Sequence, residues 1–249
     1  MKSRAPFFPD LSRREKVYEH LDDPHSDPFK IEASFRQFSR INFWLSGVMP
    51  ALKKNFLKES RRRPGTTLTF LDVGAGSGDI VTRLMGFARE RHIRVRFTCL
   101  DLDPRAIRIL KSRFAKHKSV VRIIHTDLQK FLKKRAPGFD FIFANHVLHH
   151  FGDAEIPNIL KTLSRRTKLR LFLNDIHRSL FSYWGFGLFA AVFLRGSFHF
   201  HDGLASVRRG FRREELLAWI TKAGIRSSTK IWTPALGRMG LVFSPPRPG

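Results

Sequence analysis

Apolar residues along this chain follow two different periods. Short, mostly apolar runs at 68–73, 95–100, 121–125, 139–144 and 169–173 have the length and composition of buried strands. Between and after them, residues 80–91, 104–116 and 211–223 repeat apolar positions every three or four residues, and Gly224 closes the last stretch. Residues 225–232 and 239–243 read as a terminal pair of strands. Strands alternating with helices predict an α/β fold with a largely parallel sheet covered on both faces. Ligands of such sheets bind outside the carboxyl ends of the strands.

The amino-terminal part reads differently. Ile31, Phe35, Phe38, Ile41, Phe43, Trp44, Leu45, Val48, Leu52, Phe56 and Leu57 recur mostly at threes and fours, predicting a helical segment over 28–58. Asp27 before Pro28 supplies an N-cap followed by proline at the first helical position. Residues 1–28 are polar and punctuated by proline, as expected of an arm lying over a surface, and 61–67 read as a linker. The predicted organisation is an arm and helical cap over 1–64 and one larger domain over 65–249.

Composition narrows the class. With 42% hydrophobic and 12% aromatic residues among 249, the chain is not of the disordered kind. Cys99 is the sole cysteine, which excludes an internal disulfide and fits a reducing compartment. Residues 1–10 lack the apolar core of a secretory signal. The longest uncharged stretch, 179–194, has 16 residues, short of the roughly 20 that span a bilayer. The expectation is a soluble cytoplasmic protein, with peripheral contact to an anionic membrane left open.

Charge changes the picture in one respect. The net charge is +25, yet residues 1–32 carry seven acids and six bases, so the excess lies wholly beyond residue 32. Such a charge attracts nucleic acid, anionic membrane or acidic ligands, and equally suits a solvated basic surface.

The strand ends supply the chemistry. Leu71-Asp72-Val73-Gly74-Ala75-Gly76-Ser77-Gly78-Asp79 follows the first strand, with glycines two apart rather than in the spacing of dinucleotide binders. Glycines there let backbone turn tightly beside a ligand, and the next helix points free N–H groups at it. A zwitterionic amino-acid tail is a fitting guest. Asp101, followed by Leu102, ends the second strand, placed to accept hydrogen bonds from ribose hydroxyls, while Asp103 before Pro104 suits a helix cap. Asp127-Leu128 ends the third strand, where a carboxylate can meet an adenine amino group or close an Asx-turn.

Taken together, the run 68–151 resembles class I S-adenosylmethionine-dependent methyltransferases, with similarity reaching about residue 243. The segment Ala144-Asn145-His146-Val147-Leu148-His149-His150-Phe151 resembles the small-molecule branch near the quinone-biosynthesis enzymes. His20-Leu21-Asp22-Asp23-Pro24, Gln37-Phe38-Ser39-Arg40-Ile41-Asn42, Asn174-Asp175-Ile176-His177-Arg178 and His201-Asp202-Gly203 are similar to a bacterial subgroup associated with type III polyketide synthases and phenolic lipids. The resemblance implies a Rossmann-like, seven-stranded, mostly parallel sheet flanked by helices, its last strand antiparallel. It also implies S-adenosyl-L-methionine as cofactor, held by Asp72, Gly74, Ala75, Gly76, Gly78, Asp101, Leu102, Asp127, Leu128 and Asn145.

Methyl transfer from a sulfonium needs alignment and exclusion of water, and a phenol acceptor also profits from a base. His149 and His150 past the fourth strand, His177 past the fifth, and His199 and His201 in the insert are the candidates, with His177 and one of His149 and His150 expected at the mouth. Asp175 could orient His177 or cap its loop. No zinc spacing occurs, and Asn145 with Asn174-Asp175 is an incomplete carboxylate set for magnesium, so metal-independent chemistry is expected. Residues 178–210 read as a helical lid inserted after the fifth strand, its apolar run 180–194 bracketed by Arg178 and Arg195. That run suits a lid over a hydrophobic acceptor, a segment seated on anionic lipid, or a helix buried against 28–58.

The leading expectation is O-methylation of a phenolic or quinone-like small molecule. The alternative is an RNA methyltransferase using the basic surface. Against it, the fourth strand lacks the Asn/Asp-Pro-Pro-aromatic motif, Cys99 lies inside a strand, and no separate RNA-binding module is visible. A non-catalytic binding protein that kept the fold is a third possibility, opposed by the intact Gly74, Gly76, Gly78 and Asp101.

Overall fold

A computed structural model describes residues 7–23, 25–134 and 137–246. The strands are β1 (Leu68–Val73), β2 (Val95–Asp101), β3 (Val121–His125), β4 (Phe139–Asn145), β5 (Thr167–Ile176), β6 (Thr229–Trp232) and β7 (Arg238–Phe243). They form one sheet in the order β3-β2-β1-β4-β5-β7-β6. β7 runs antiparallel to both neighbours, and the pairs among β1 to β5 are parallel. The strand order reverses between β1 and β4, which opens a crevice at their carboxyl ends.

The period of two sorts each strand's side chains between two cores. Phe70, Phe97, Cys99, Phe141 and Phe143 point to one face, whereas Leu71, Val73, Leu100, Ile142 and Ala144 point to the other. The first face is covered by α2 (Val48–Arg62), α3 (Asp79–Glu90) and α4 (Pro104–Arg113) through Phe56, Leu84 and Leu110. Phe70 stacks between Phe97 and Phe141 at 4.8 and 4.9 Å. The second face is covered by α5 (Leu128–Lys133), α6 (Ile156–Arg165) and α9 (Arg213–Lys222) through Phe131, Leu160 and Trp219.

The segment expected as one helix over 28–58 is two helices. α1 (Pro28–Trp44) starts as predicted, with the Asp27 carboxylate accepting from the N–H groups of Phe29 and Lys30. The chain then turns at Gly47, which has φ 61°, before α2 begins. A Cβ at Gly47 would lie 2.2 Å from the carbonyl oxygen of Pro234, so only glycine lets the β6–β7 turn pack into this corner. α2 buries Val48, Leu52 and Phe56 in the same core as the sheet, so the body of the fold begins before residue 64. The apolar positions stay in phase across this break, and Gly47 and Pro50 are its local signs in the sequence.

After β5 come α7 (Leu180–Phe193) and α8 (His199–Arg209), two helices within the 178–210 insert. Ser179 caps α7 by accepting from the N–H of Ser182. α7 packs on α1 through Ile41, Ala190 and Leu194. The arm before α1 is fastened to α8 and β5 by polar contacts. Arg14 donates to the carbonyls of Arg209, His149 and Phe151 at 2.8–3.1 Å and pairs with Asp153. The wholly buried Arg178 donates to Leu11 and Gly210 carbonyls and forms a two-pronged pair with Glu215.

Candidate functional site

A cavity of about 890 Å³ opens at the carboxyl ends of β1, β2 and β4. Its floor is the β1–α3 loop and the ends of the neighbouring strands. Its roof is the arm, α1, α7 and α8, contributing Glu19, Asn42, Phe38, Phe186 and Asp202 among others.

The floor is built by backbone geometry. Gly74 and Ala75 both donate their N–H groups to the carbonyl of Leu100, which ties the loop to β2. At Gly76, φ is 53° and a Cβ would meet nothing within 4 Å, so the loop presents bare backbone to open space. Gly78 has φ 73° and precedes α3, but it faces Phe114 and Leu110 rather than the cavity. Asp101 accepts from the N–H of Gly76 at 2.7 Å and of Asp103 at 2.9 Å, one on each oxygen. Each oxygen keeps a lone pair for a ligand hydroxyl. Asp103 caps α4, as its place before Pro104 predicts. Asp127 caps α5 by accepting from the Lys130 N–H, and with Thr126 and Leu128 it also lines the cavity. Asp72, Gly74, Ala75, Gly76, Asp101, Leu102, Asp127, Leu128 and Asn145 thus all reach the cavity wall.

Charge inside the cavity opposes that of the whole chain. Eight carboxylates line it (Glu19 and Asp22, 72, 79, 101, 103, 127 and 202) against three arginines, in a protein of net charge +25. Burial pushes the Asp72 carboxyl well above the usual range, and the charges of Asp79 and Asp101 push it further. Burial also raises Asp79 and Asp101, partly offset by their hydrogen bonds. A cationic guest would relieve this concentration of negative charge.

A ladder of amides joins floor to roof. β4 and β5 place Asn145 and Asn174 opposite each other. Asn174 Nδ2 donates to Asn145 Oδ1 at 2.6 Å, and Asn145 Nδ2 donates to Asn42 Oδ1 at 2.7 Å. Asn42 Nδ2 in turn donates to both oxygens of Asp79 at 3.1 and 3.2 Å. Asn145 is therefore a structural link as well as a wall residue.

Three histidines past β4 have different tasks. His146 sits at φ 67°, a left-handed conformation that a non-glycine residue seldom adopts outside sites that constrain it. Its Nδ1 lies 3.0 Å from Arg238 Nη1. Arginine can only donate, so Nδ1 accepts and the ring proton resides on Nε2. Burial pushes His146 well below the ordinary histidine pKa, and Arg238, itself pushed down to about 10 by burial, reinforces the neutral form. His150 also lines the cavity, with its Nδ1 3.3 Å from Arg209, and burial pushes its pKa well down. His149 is fully buried behind the wall. Its Nδ1 meets Asp175 Oδ1 at 2.7 Å, and its Nε2 has no hydrogen-bond partner. Burial pushes the Asp175 carboxyl up, but the charge and hydrogen bond of His149 more than offset that and leave it below the usual range.

Facing His149 Nε2 at 4.0 Å is the Glu19 carboxylate, which reaches the cavity wall. Glu19 accepts from Ser206 Oγ and Arg209 Nη1 at 2.9 Å each, and burial raises its pKa. The result is a buried line from Asp175 through His149 to Glu19. Sequence reasoning missed Glu19, since a lone acid on a polar arm carries no signal until the arm's path over α8 is known. Asn42, Asp79, His146 and Asp202 were missed as site residues, though each stands inside a segment that carries the family resemblance.

His177 is elsewhere. Its N–H donates to the carbonyl of Gly237, its strand bridge is to Phe211, and it does not line the cavity. Of the pair expected at the mouth, His150 is on the wall with His149 behind it, and His177 is not there. Asp175 orients His149 rather than His177. Three clusters of histidine and acid groups are close enough to share an ion: Glu19–His149–His150, His20–His201–Asp202 and His146–His149–Asp175. In each, a direct pair already engages a ligand atom: Glu19 with Arg209, His20 with Asp202, and His149 with Asp175.

Comparisons with known proteins agree with this fold. Residues 70–169 match a family model described as a methyltransferase domain. No curated protein matches the sequence. Among solved structures, the plantazolicin methyltransferase BamL, in complex with a triazolic desmethylPZN analog and SAH, is similar with TM-score 0.63 and 16% identity over 88% of this chain and 92% of its own. The mitomycin 7-O-methyltransferase MmcR gives TM-score 0.58 and 17% identity over 92% of this chain. The CMeT domain of the citrinin polyketide synthase gives 0.62 and 15% over 91% of this chain. The chain spans 61% and 59% of the last two chains. At these identities the likeness establishes a shared fold.

Proposed function

We propose that this S-adenosylmethionine-dependent methyltransferase acts on a hydrophobic small molecule and methylates an oxygen of a phenolic or quinone-like acceptor. The observation that carries the reading is the division of one cavity into two chemistries. The floor offers carboxylates and bare backbone, and beside it Phe35, Phe38, Ile41, Phe151 and Phe186 form an apolar wall next to His146, His150 and Glu19.

The floor fits the cofactor. Asp101 would take the ribose hydroxyls, the backbone from Gly74 to Gly76 the amino-acid tail, and Asp127 with Leu128 the adenine. Asp72 and Asp79 would face its positive groups. When bound, S-adenosylmethionine supplies a methyl group on a positively charged sulfur, from which an acceptor oxygen displaces it in line. The chain's own residues align that oxygen and handle its proton. His146, neutral with its proton on Nε2, donates to the acceptor oxygen and cannot take its proton while Arg238 occupies Nδ1. Glu19, raised by burial, takes the proton, and His149 held by Asp175 stabilises the line behind it. The apolar roof keeps water from the donor.

An RNA acceptor is not favoured, because a polyanion would face eight carboxylates at the cavity, and the charge excess lies outside it. Incubating the protein with methyl-labelled S-adenosylmethionine and a lipid-soluble cell extract should yield a labelled aromatic product whose label is released as an O-methyl group. Label confined to RNA, or to nitrogen or carbon of a polar product, would overturn the reading.

A further inference from the structure

α7 has two faces of different fate. Tyr183, Gly187, Ala190 and Leu194 are buried, and Phe186 reaches the cavity. On the opposite side, Phe181, Trp184, Leu188 and Val192 follow each other at intervals of three and four and are 60, 39, 71 and 52% exposed. Six of the fifteen exposed large apolar side chains among the described residues belong to this single 14-residue helix. Phe7 of the arm lies against Trp184 at 4.4 Å and is itself exposed, which extends the patch. A contiguous apolar face of this kind marks an interaction surface.

Charge decides the occupant. The stretches 28–58 and 176–201, which hold α1, α7 and their flanks, contain eight lysines and arginines and one acid, Glu32. Arg40 and Arg195 are exposed at the carboxyl end of α7, where Arg40 reaches the carbonyl of Phe193. A second copy of the chain would bring the same positive charge against itself. A bilayer of anionic lipid offers the opposite charge around an apolar interior. No helix among the described residues is long and apolar enough to cross a membrane. α7 carries no charged side chain, so it can lie along the interface with its exposed face in the lipid.

We propose that the outer face of α7 seats this protein on an anionic membrane surface, with Phe181, Trp184, Leu188 and Val192 inserted between headgroups. The docking stands on the exposed face of α7 and the charge around it. Only the corollary that the acceptor enters from the bilayer, past Phe186, rests on the hydrophobic-acceptor reading.

Co-sedimentation with vesicles tests it. Wild-type protein should pellet with phosphatidylglycerol–phosphatidylcholine vesicles, weakly with phosphatidylcholine alone, and less as salt rises. Leu188→Glu should lower partitioning about tenfold or more, since a charge replaces an inserted side chain. Phe181→Ser should act in the same direction by a smaller factor. Both variants should bind S-adenosylmethionine as wild type does, which shows that they fold. Equal pelleting of wild type and Leu188→Glu, indifference to anionic lipid, or a dimer in solution that Leu188→Glu dissociates would each overturn the proposal. Because vesicle binding requires neither cofactor nor acceptor, its failure leaves the methyl-transfer reading standing, and the reverse holds too.

Discussion

Floor and roof of the cavity are built by opposite means. The floor comes from contiguous loops: Gly74 to Gly76 and Asp101 to Asp103 lie a few residues from the strands that aim them, and their hydrogen bonds are backbone-centred. The roof is assembled from segments far apart in the chain. Arg14 reaches Arg209 across 195 positions, Ser206 reaches Glu19 across 187, and Arg178 reaches Leu11 across 167. The difference implies a division of labour in which a general cofactor sits on a local motif and a particular acceptor is enclosed by long-range contacts. It also implies that damage to one should spare the other.

The sharpest break is expected at Glu19. Glu19→Gln keeps a group that can face Ser206 and Arg209 but removes the base, so kcat should fall about 10²–10⁴-fold with S-adenosylmethionine affinity unchanged. An equal loss of cofactor affinity in calorimetry would place Glu19 in the floor's business instead. Asp101→Ala should do the converse. It removes the two-pronged acceptor and strands the Gly76 N–H, and cofactor affinity should fall roughly 30- to 1000-fold with the far-ultraviolet spectrum preserved. Titration showing wild-type affinity would remove Asp101 from the site.

Arg178→Met tests the roof as a structure. It leaves Glu215 and the carbonyls of Leu11 and Gly210 without their donor, and should cost about 2–3 kcal/mol in urea unfolding. The arm should become open to limited proteolysis before the sheet does. Cleavage patterns identical to wild type would mean that Arg14 and Asp202 suffice to fasten it. The smallest effect concerns pH. Burial holds the Asp79 and Asp101 pKa values above the ordinary range, and a bound cation would draw them back down. Binding must then release protons, so affinity should rise with pH through the raised pKa values, by at most tenfold per unit for each proton released. Calorimetry in buffers of different ionisation enthalpy should detect that release, and proton uptake instead would reverse the assignment.

The same contrast explains what was legible in the sequence. The strands, the capping roles of Asp27 and Asp103, and the floor residues from Asp72 to Leu128 could be read because periodicity and turn chemistry act over a few residues. α6 has no side-chain N-cap, yet Pro157 in its first turn and Ile156, Ile159, Leu160 and Leu163 at threes and fours are legible signs of it. At the corner the apolar positions keep their phase, and Gly47 and Pro50 mark it locally. His177 and His149 could not be told apart as site candidates, because both follow strand ends and only the path of the arm puts an acid opposite His149. Glu19 and the Arg238 contact that fixes the His146 tautomer depend on pairs 130 and 92 residues apart, beyond the reach of any local pattern.

The Gly47 corner has a mechanical meaning. α1 is 17 residues long, roughly 25 Å, and it is held along its whole length. Ile31 and Phe35 pack with Ala106 of α4 near its start, and Ile41 packs with Ala190 and Leu194 near its end. Just beyond that end, Asn174 Nδ2 donates to the Ser46 carbonyl at 2.9 Å and Pro234 fills the space a side chain on Gly47 would need. The corner thus fixes where the helix leaves the sheet, and the amide ladder from Asn42 to Asp79 is pinned from both sides.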